Sequence, residues 1–373
     1  MGFAGGLLIA LSSTLLMALC GQISGISGIL GKLTLRSSLL SWQLSFVLGL
    51  LSAGVYFNSD WGDKSVFGPP VDIHWSVVLI GGIFVGIGPH LSNGCTSGHG
   101  AIGLARLSPR SLVAVVTFLL FGALSAGYSR SRSVRHYIYS SGAASLPPPK
   151  SAPAWNLSLS LYFVPLSCAL ALILAFRASA KWRHAKQSSV SDVAAKSAKP
   201  PSKSLPIPTA TMVGGYAATF SCGLIFGLGL CLSGMCNPAK VLRFLDFAGD
   251  GGWDPQLLFV LGGAVMANLI TFNLMSKQRS KPLFASVTAD TANGTFNAVP
   301  LCNCFNYGPA APANQLVTWR LVVGAAVFGI GWGITGVCPG PGVVAYAAGS
   351  SHVGLALPSI LVGFVLSETL FPS

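Results

Sequence analysis

The sequence predicts an all-α integral membrane protein with about nine transmembrane spans, glycine-rich re-entrant elements and an inverted-topology repeat. Three observations predict this fold class. Of the 373 residues, 52% are hydrophobic and only 8% are charged, long apolar stretches recur along the chain, and a glycine-rich motif recurs among them. Soluble domains carry roughly 25% charged residues. This chain lacks the polar surface that water requires, so we expect most of it to lie in a bilayer.

Nine apolar stretches are long enough, or nearly so, to cross a bilayer, for which about 20 residues suffice. No charged leader precedes the first stretch, so we interpret it as part of the mature fold. Most of the 45 glycines are expected to allow close contacts between helices. The nine predicted spans are 3–20, 39–57, 76–90, 112–127, 156–176, 211–230, 257–275, 317–335 and 352–370.

The basic residues predict the orientation of the spans. The most basic segment, 177–204, is a Ser/Ala/Pro-rich linker without the composition of a packed core. The positive-inside rule assigns such a segment to the cytoplasm. The N-terminus is then outside and the C-terminus is cytoplasmic, although the basic loop 129–154 breaks the alternation. The net charge of +13 therefore reports membrane orientation, and we expect no nucleic-acid partner.

An odd number of spans before the second half gives the two halves opposite topology. We expect residues 1–128 to form the first repeat and residues 211–373 to form the second, inverted repeat. Between them, residues 129–210 hold a loop, the connecting fifth span and the basic cytoplasmic linker. Inverted repeats are typical of transporters, whose substrate site lies near the middle of the membrane.

A glycine and cysteine motif occurs three times in one local frame. Cys95, Cys236 and Cys338 each follow two glycines, which stand nine and seven residues earlier. A weaker copy, Gly25-Ile26-Ser27-Gly28, has Ser27 in the position of the cysteine. Four such elements, two in each half, indicate a duplicated architecture.

The residue types in these elements favour an anion site. A hairpin that turns at glycines inside the membrane exposes helix N-termini, whose unpaired N–H groups carry about half a positive charge. Such a site needs no Lys or Arg. Thr96, Ser97 and Asn237 add neutral donors at the same turns, with Gly98 in the turn itself. A thiol is a weak donor with a polarizable sulfur, so three thiols suit an anion that carries a soft sulfur.

Three stretches resemble the signatures of the YeeE/YedE sulfur-transport family. They are 94–100, 233–241 with 244–246, and 336–341, and the likeness extends over nearly the whole chain. The resemblance implies an hourglass-shaped protein of the inner or plasma membrane that imports thiosulfate by passing it between cysteines. Carried over onto this sequence, it places Cys95 and Cys338 on the path. Cys20, near the Gly-Ile-Ser-Gly element, and Cys236 are the further candidates.

We therefore expect a transporter, not an enzyme, without cofactor or metal. Its expected partners are thiosulfate, membrane lipid and a cytoplasmic sulfur-handling protein. One alternative is a thiol or persulfide relay enzyme, for which His99, four residues after Cys95, is the candidate base. Another is a Cys-based heavy-metal carrier, which should show Cys-x-x-Cys or Cys/His clusters. Cys168 and Cys222 are expected to pack as small hydrophobes.

Overall fold

A computed structural model describes residues 1–35, 41–69, 71–131, 134–139, 209–247, 252–278 and 317–371. The predicted all-α class is confirmed for these residues, which form helices and no strand. Seven of the described helices are long and apolar enough to cross a membrane. The predicted fifth span, 156–176, and the basic linker, 177–204, lie outside the described residues, as does Cys168.

The described residues contain twelve α-helices, a 3₁₀ turn at Lys64–Phe67 and a π-helix at Thr96–Gly103. The first half holds α1 (Gly2–Cys20), α2 (Ile26–Leu35), α3 (Trp42–Asn58), α4 (Trp75–Ser92), α5 (Pro109–Arg130) and the short α6 (Arg135–Ile138). The second half holds α7 (Thr209–Ser233), α8 (Pro238–Leu245), α9 (Gln256–Gln278), α10 (Trp319–Thr335), α11 (Pro339–Ala347) and α12 (Ser351–Leu370).

Long and short helices follow each other in the same order in both halves, which is long, short, long, long, short, long. The long helices α1, α3, α4, α5, α7, α9, α10 and α12 coincide with eight of the nine predicted spans. Each of the four glycine-rich elements leads into a short helix, which is α2, the π-helix, α8 or α11. The order of elements therefore allows α1 to be matched with α7, α3 with α9, α4 with α10 and α5 with α12.

The six most extensive interfaces of the described helices all join the first half to the second. They are α1–α7, α1–α9, α3–α7, α4–α10, α4–α12 and α5–α10. When each helix in this list is replaced by its match in the other half, the same six interfaces result. The packing of the bundle therefore has the pattern of a two-fold relation between the halves.

The matched helices that touch each other run in opposite directions. Along α1 and α7, Gly5 lies beside Ser233, and further on Gly229 lies beside Ile9. Along α4 and α10, Gly81 likewise lies beside Thr335, and Gly88 lies beside Phe328. Both pairs are therefore antiparallel.

Glycines at these interfaces let the helices approach closely. A Cβ atom built on Gly86 would collide with the carbonyl oxygen of Ile360, and one on Gly223 would collide with that of Phe46. The glycine pair that precedes Cys338 acts in the same way, because Gly329 lies against Phe118 and Gly331 lies against Gly81. The expectation that many glycines serve helix packing is consistent with these contacts.

The outer surface of the bundle is apolar. On α5 the exposed residues recur at every fourth position and form one helical stripe. A stripe of this kind, on a helix apolar enough to span a membrane, is suited to contact lipid chains. It consists of Leu112, Val116, Leu120, Leu124 and Tyr128.

Candidate functional site

One cavity of about 80 Å³ lies where the short helices of the two halves meet. This volume has room for several water molecules. Its wall is mostly apolar, and apolar side chains from α1, α5, α7 and α9 contribute to it. Its hydroxyl and thiol groups come from Cys95, Thr96, Ser97 and Cys338. The cavity therefore joins residues that are more than 200 positions apart in the sequence.

Four long helices end in the same way before the short helices begin. The residue after each has a left-handed backbone, which reverses the chain and stops the helix. Glycine adopts this conformation without strain, and asparagine is the next most tolerant residue. The four residues are Gly21 (φ 68°), Asn93 (φ 57°), Gly234 (φ 77°) and Gly336 (φ 70°). The glycine-rich elements are thus helix stops, each followed by a new helix start.

Cys95 caps the π-helix and is only 2% exposed. Its Sγ atom lies 3.2 Å from the Oγ atom of Ser97, which also accepts a hydrogen bond from the backbone N–H of Ile26 at 3.3 Å. The backbone N–H of His99 donates to the Cys95 carbonyl at 2.9 Å. The N–H groups of residues 96–98 precede that bond, so the helix start can offer donors to an anion.

Cys338 caps α11 and is 3% exposed. Its Sγ atom lies 3.8 Å from the Oγ1 atom of Thr96, which joins the two elements directly. Pro339 and Pro341 have no backbone N–H, and the N–H of Gly342 donates to the Cys338 carbonyl at 2.8 Å. This helix start therefore keeps the N–H of Gly340 alone for a ligand.

The third cysteine motif is arranged differently. Cys236 is 2% exposed, and its Sγ atom lies 3.8 Å from that of Cys231 instead of lining the cavity. Asn237 caps α8, because its Oδ1 atom accepts from the Ala239 N–H at 3.0 Å. Its backbone carbonyl accepts from the N–H of Lys240 at 3.1 Å. The first turn of α8 is therefore occupied by its own hydrogen bonds.

The other predicted site residues are not among those that line the cavity. Cys20 ends α1 and is 1% exposed, and Ser27 lies in the first turn of α2 at 4% exposed. Ile26, the neighbour of Ser27, does line the cavity. Gly98 follows the lining residue Ser97, and a Cβ atom built on it would meet no atom within 4 Å.

A polar network behind Cys95 was not predicted in detail. The Nε2 atom of His99 lies 3.2 Å from the carbonyl oxygen of Ser92, so we assign the ring proton to Nε2. Its Nδ1 atom then accepts from the hydroxyl of Ser111 at 3.1 Å. Arg110 donates to the same Ser92 carbonyl at 3.3 Å. Both ring nitrogens of His99 are thus engaged in holding the turn, which disfavours His99 as a base for Cys95.

Aromatic rings form part of the cavity wall. Phe118 on α5 and Trp332 on α10 line it, with their ring centroids 6.0 Å apart. Phe328 stacks on Trp332 at 5.9 Å behind them. Sequence patterns do not single out these residues, because Phe and Trp in an apolar span look the same whether they face lipid, core or cavity.

In comparisons with known proteins, each half of the chain matches a family model. A sulphur transport family model matches residues 2–124, and a family of unknown function, DUF6691, matches residues 216–308 and 305–371. A probable transporter from Xylella fastidiosa (strain Temecula1 / ATCC 700964) is 35% identical over 157 residues, which are 42% of this chain and 89% of the relative. A probable transporter from Xylella fastidiosa (strain 9a5c) is 40% identical over 126 residues, which are 33% of this chain and 90% of the relative.

These relatives are each about half as long as this chain or shorter, since the matched part is nearly the whole of the relative but under half of the chain. The names of these relatives support a membrane transporter. The apolar helices of this chain support a multi-pass membrane protein. The sulphur transport model covers the Cys95 element, which provides three of the four hydroxyl and thiol groups in the cavity. The chain belongs to the sulphur transport family.

Proposed function

We propose that this protein imports thiosulfate through the cavity lined by Cys95, Thr96, Ser97 and Cys338. One observation carries the proposal: the Cys95 and Cys338 elements, from opposite halves of the chain, meet at 3.8 Å through Thr96 and Cys338 beside one cavity. Membership of the sulphur transport family supports a small sulfur compound as the solute. Thiosulfate combines the charge that helix starts attract with the soft sulfur that thiols contact.

The site attracts charge through neutral groups. No Lys or Arg is among the residues that line the cavity. The N–H groups at the start of the π-helix and the hydroxyls of Thr96 and Ser97 can replace part of the water that the anion loses. Because these donors carry no full charge, they bind a divalent anion without holding it too tightly to release. Cys95 and Cys338 then contact its terminal sulfur in turn.

Transport runs against the membrane potential in this proposal. Moving a divalent anion inward against 100 mV, negative inside, costs about 4.6 kcal/mol. Consumption of thiosulfate by a cytoplasmic sulfur-handling protein would keep its inner concentration low and offset this cost. We accordingly place the protein in the plasma or inner membrane, with its N-terminus outside and its C-terminus in the cytoplasm.

We also propose that residues 1–128 and 211–373 are inverted repeats, connected by residues 129–210. The antiparallel contacts of α1 with α7 and of α4 with α10 support this, since an inverted repeat reverses each helix relative to its match. Protease added from the cytoplasmic face should cut within 177–204 and leave 58–75 intact. Cleavage of both segments from the same face would contradict this topology.

The direct test is the uptake of radiolabelled thiosulfate into proteoliposomes that contain only this protein. We expect uptake by the wild type and none by Cys95→Ala, with equal amounts of folded protein in the membrane. Cys222→Ala is the matched control, because Cys222 is buried in α7 and does not line the cavity. Normal uptake by Cys95→Ala would refute the proposed path, and absence of uptake by the wild type would refute the proposed substrate.

Competition with unlabelled sulfate tests the role of soft sulfur. Sulfate has the same charge and shape but lacks the terminal sulfur that the thiols contact. Each lost contact is worth less than a hydrogen bond of about 0.5–1.5 kcal/mol. Two or three successive contacts then give thiosulfate a preference of roughly ten- to a hundredfold. Equal inhibition by the two unlabelled anions would show that the site recognises charge alone.

A further inference from the structure

Asn268 is a fully buried amide within an apolar helix. It is 0% exposed and lies in α9, in the part of that helix that is apolar enough to span a membrane. Burying an amide without hydrogen bonds is costly, and polar side chains within spans are often functional. The partners of Asn268 therefore indicate what the amide is there to do.

Both ends of the Asn268 amide have partners. Its Nδ2 atom donates to the carbonyl oxygen of Ala101 at 3.1 Å, and its Oδ1 atom accepts from the hydroxyl of Thr14 at 3.5 Å. The Thr14 and Thr271 hydroxyl oxygens lie 2.9 Å apart. These contacts join α1 and α9 to the π-helix, whose residue Ala101 lines the cavity.

The backbone of the π-helix explains why a side-chain donor is needed there. The N–H of Leu104 donates five residues back, to His99, whereas that of Arg106 donates four residues back, to Ile102. Two carbonyls, those of Gly100 and Ala101, lie between these acceptors, whereas one residue, Ala105, lies between the two donors. At least one of the two carbonyls therefore has no partner from the helix backbone. Asn268 donates to a carbonyl within this interval, that of Ala101. An irregular helix inside a membrane protein requires such a substitute partner.

We propose that Asn268 is a positioning residue, which fixes the π-helix so that Cys95 and Thr96 are correctly placed against Cys338. Asn268 is not among the residues that line the cavity, and it acts through the backbone of Ala101. This role rests on the proposed function for its effect on transport, but its effect on the position of Cys95 can be measured without transport.

The test compares Asn268→Leu, which keeps the size and removes the amide, with Asn273→Leu on the same helix. Asn273 is exposed, and its Nδ2 atom donates to the Leu269 carbonyl of its own helix. Two measurements are made in full-length protein. The first is the rate at which a maleimide alkylates Cys95, followed by mass spectrometry, and the second is thiosulfate uptake, with its KM and maximal rate. We expect Asn268→Leu to raise the alkylation rate about fivefold and to lower the maximal uptake about tenfold.

The control Asn273→Leu should leave both quantities as in the wild type. Asn268→Gln, which keeps an amide, should restore part of the uptake. If Asn268→Leu does not reach the membrane folded, Thr14→Val decides: it removes the bond to Oδ1, and we expect it to change alkylation of Cys95 about twofold in the same direction. Unchanged alkylation in the folded Asn268→Leu protein or, where that protein does not fold, in Thr14→Val would overturn the inference.

The outcomes separate this inference from the proposed function. Absence of thiosulfate uptake by the wild type would refute the substrate, while the alkylation rates would still test Asn268. Conversely, wild-type uptake together with equal uptake and equal alkylation in Asn268→Leu would refute the positioning role and leave the substrate intact.

Discussion

The Cys95 and Cys338 elements meet at one cavity but are built in different ways. The Cys95 element begins a π-helix with two hydroxyl side chains, and hydrogen bonds from His99, Arg110 and Asn268 hold it from behind. The Cys338 element begins α11 with two prolines and is buried among apolar residues. It is held instead by close packing, because Gly54 of α3 lies against the backbone of Val344.

In the proposed transport site, this difference separates two tasks. Attraction of an anion needs donors, and the Cys95 element has them. Fixing a thiol at one place needs only a rigid support, and the Cys338 element has that. Hydrogen bonds are directional and can be removed one at a time, whereas a packed backbone contact fails by steric overlap. The two elements should therefore respond differently to substitution.

After Cys95→Ala, the largest effect should come from Cys95→Ser. It keeps a donor at the start of the π-helix and replaces the soft sulfur with hard oxygen. We expect a loss of thiosulfate uptake of roughly a hundredfold, nearly as complete as for Cys95→Ala. The measurement is initial uptake into proteoliposomes. If the serine variant transports normally, donor geometry alone suffices and sulfur contact is the wrong explanation.

A smaller but strong loss is expected for Cys338→Ala. The Cys338 element supplies a thiol and few donors, so the substitution removes one contact and leaves the attraction for charge in place. We expect uptake to fall about tenfold, while thiosulfate still competes for binding. The same uptake assay checks the rate, and thermal stabilisation by thiosulfate checks the binding. A loss of binding equal to that of Cys95→Ala would remove the distinction between the two elements.

Packing behind α11 is tested by Gly54→Ala. The added Cβ atom would lie 2.9 Å from that of Ala347 and would overlap the carbonyl oxygen of Val344. Overpacking of this kind costs about 1–3 kcal/mol, so the melting temperature of the purified protein should fall. Gly127→Ala is the control, since a Cβ atom there meets nothing within 4 Å and alanine favours the helix by up to about 1 kcal/mol. Equal melting temperatures for the two variants would show that α11 does not depend on this contact.

The smallest effect is expected from Cys222→Ala, a buried thiol outside the cavity wall. Loss of its sulfur should cost on the order of 1–2 kcal/mol or less in stability and leave uptake unchanged. A parallel loss of uptake in Cys222→Ala and Cys95→Ala would mean that thiols support the fold in general, and the repeated cysteine frame would have no special function.

Much of the fold could be predicted because the length of each apolar stretch can be read directly from the sequence. The predicted span 39–57, for example, is α3, which begins at Trp42 and ends at Asn58. Glycine motifs likewise predicted where long helices stop, as at Gly234 and Gly336. Helix N-termini were expected at these turns, but the lengths of the short helices that follow were not predicted, because eight to ten residues span only two or three helical turns.

The site was less predictable because its contacts are tertiary. Cys95 and Cys338 were proposed for the site from the shared frame together with the family resemblance, and they line one cavity. Cys236 shares the same frame, yet its sulfur faces Cys231, which the motif did not indicate. Asn268 lies in no recognisable sequence motif, and its proposed role depends on which carbonyl of the π-helix lacks a backbone donor. The spacing of glycine and cysteine in the motif predicts the turn. The packing of the neighbouring helices determines which groups the turn contacts.

The extensive packing of one half of the chain against the other has a consequence for biosynthesis. Since the six most extensive interfaces of the described helices all join one half to the other, the half that emerges first has none of its main partners in place. At about 5–20 residues per second, it waits in the membrane for roughly ten seconds or more. During that time the glycine faces of α1 and α4 are open to any other helix. α1 and α4 therefore lack these partners until α7 and α10 have been synthesised.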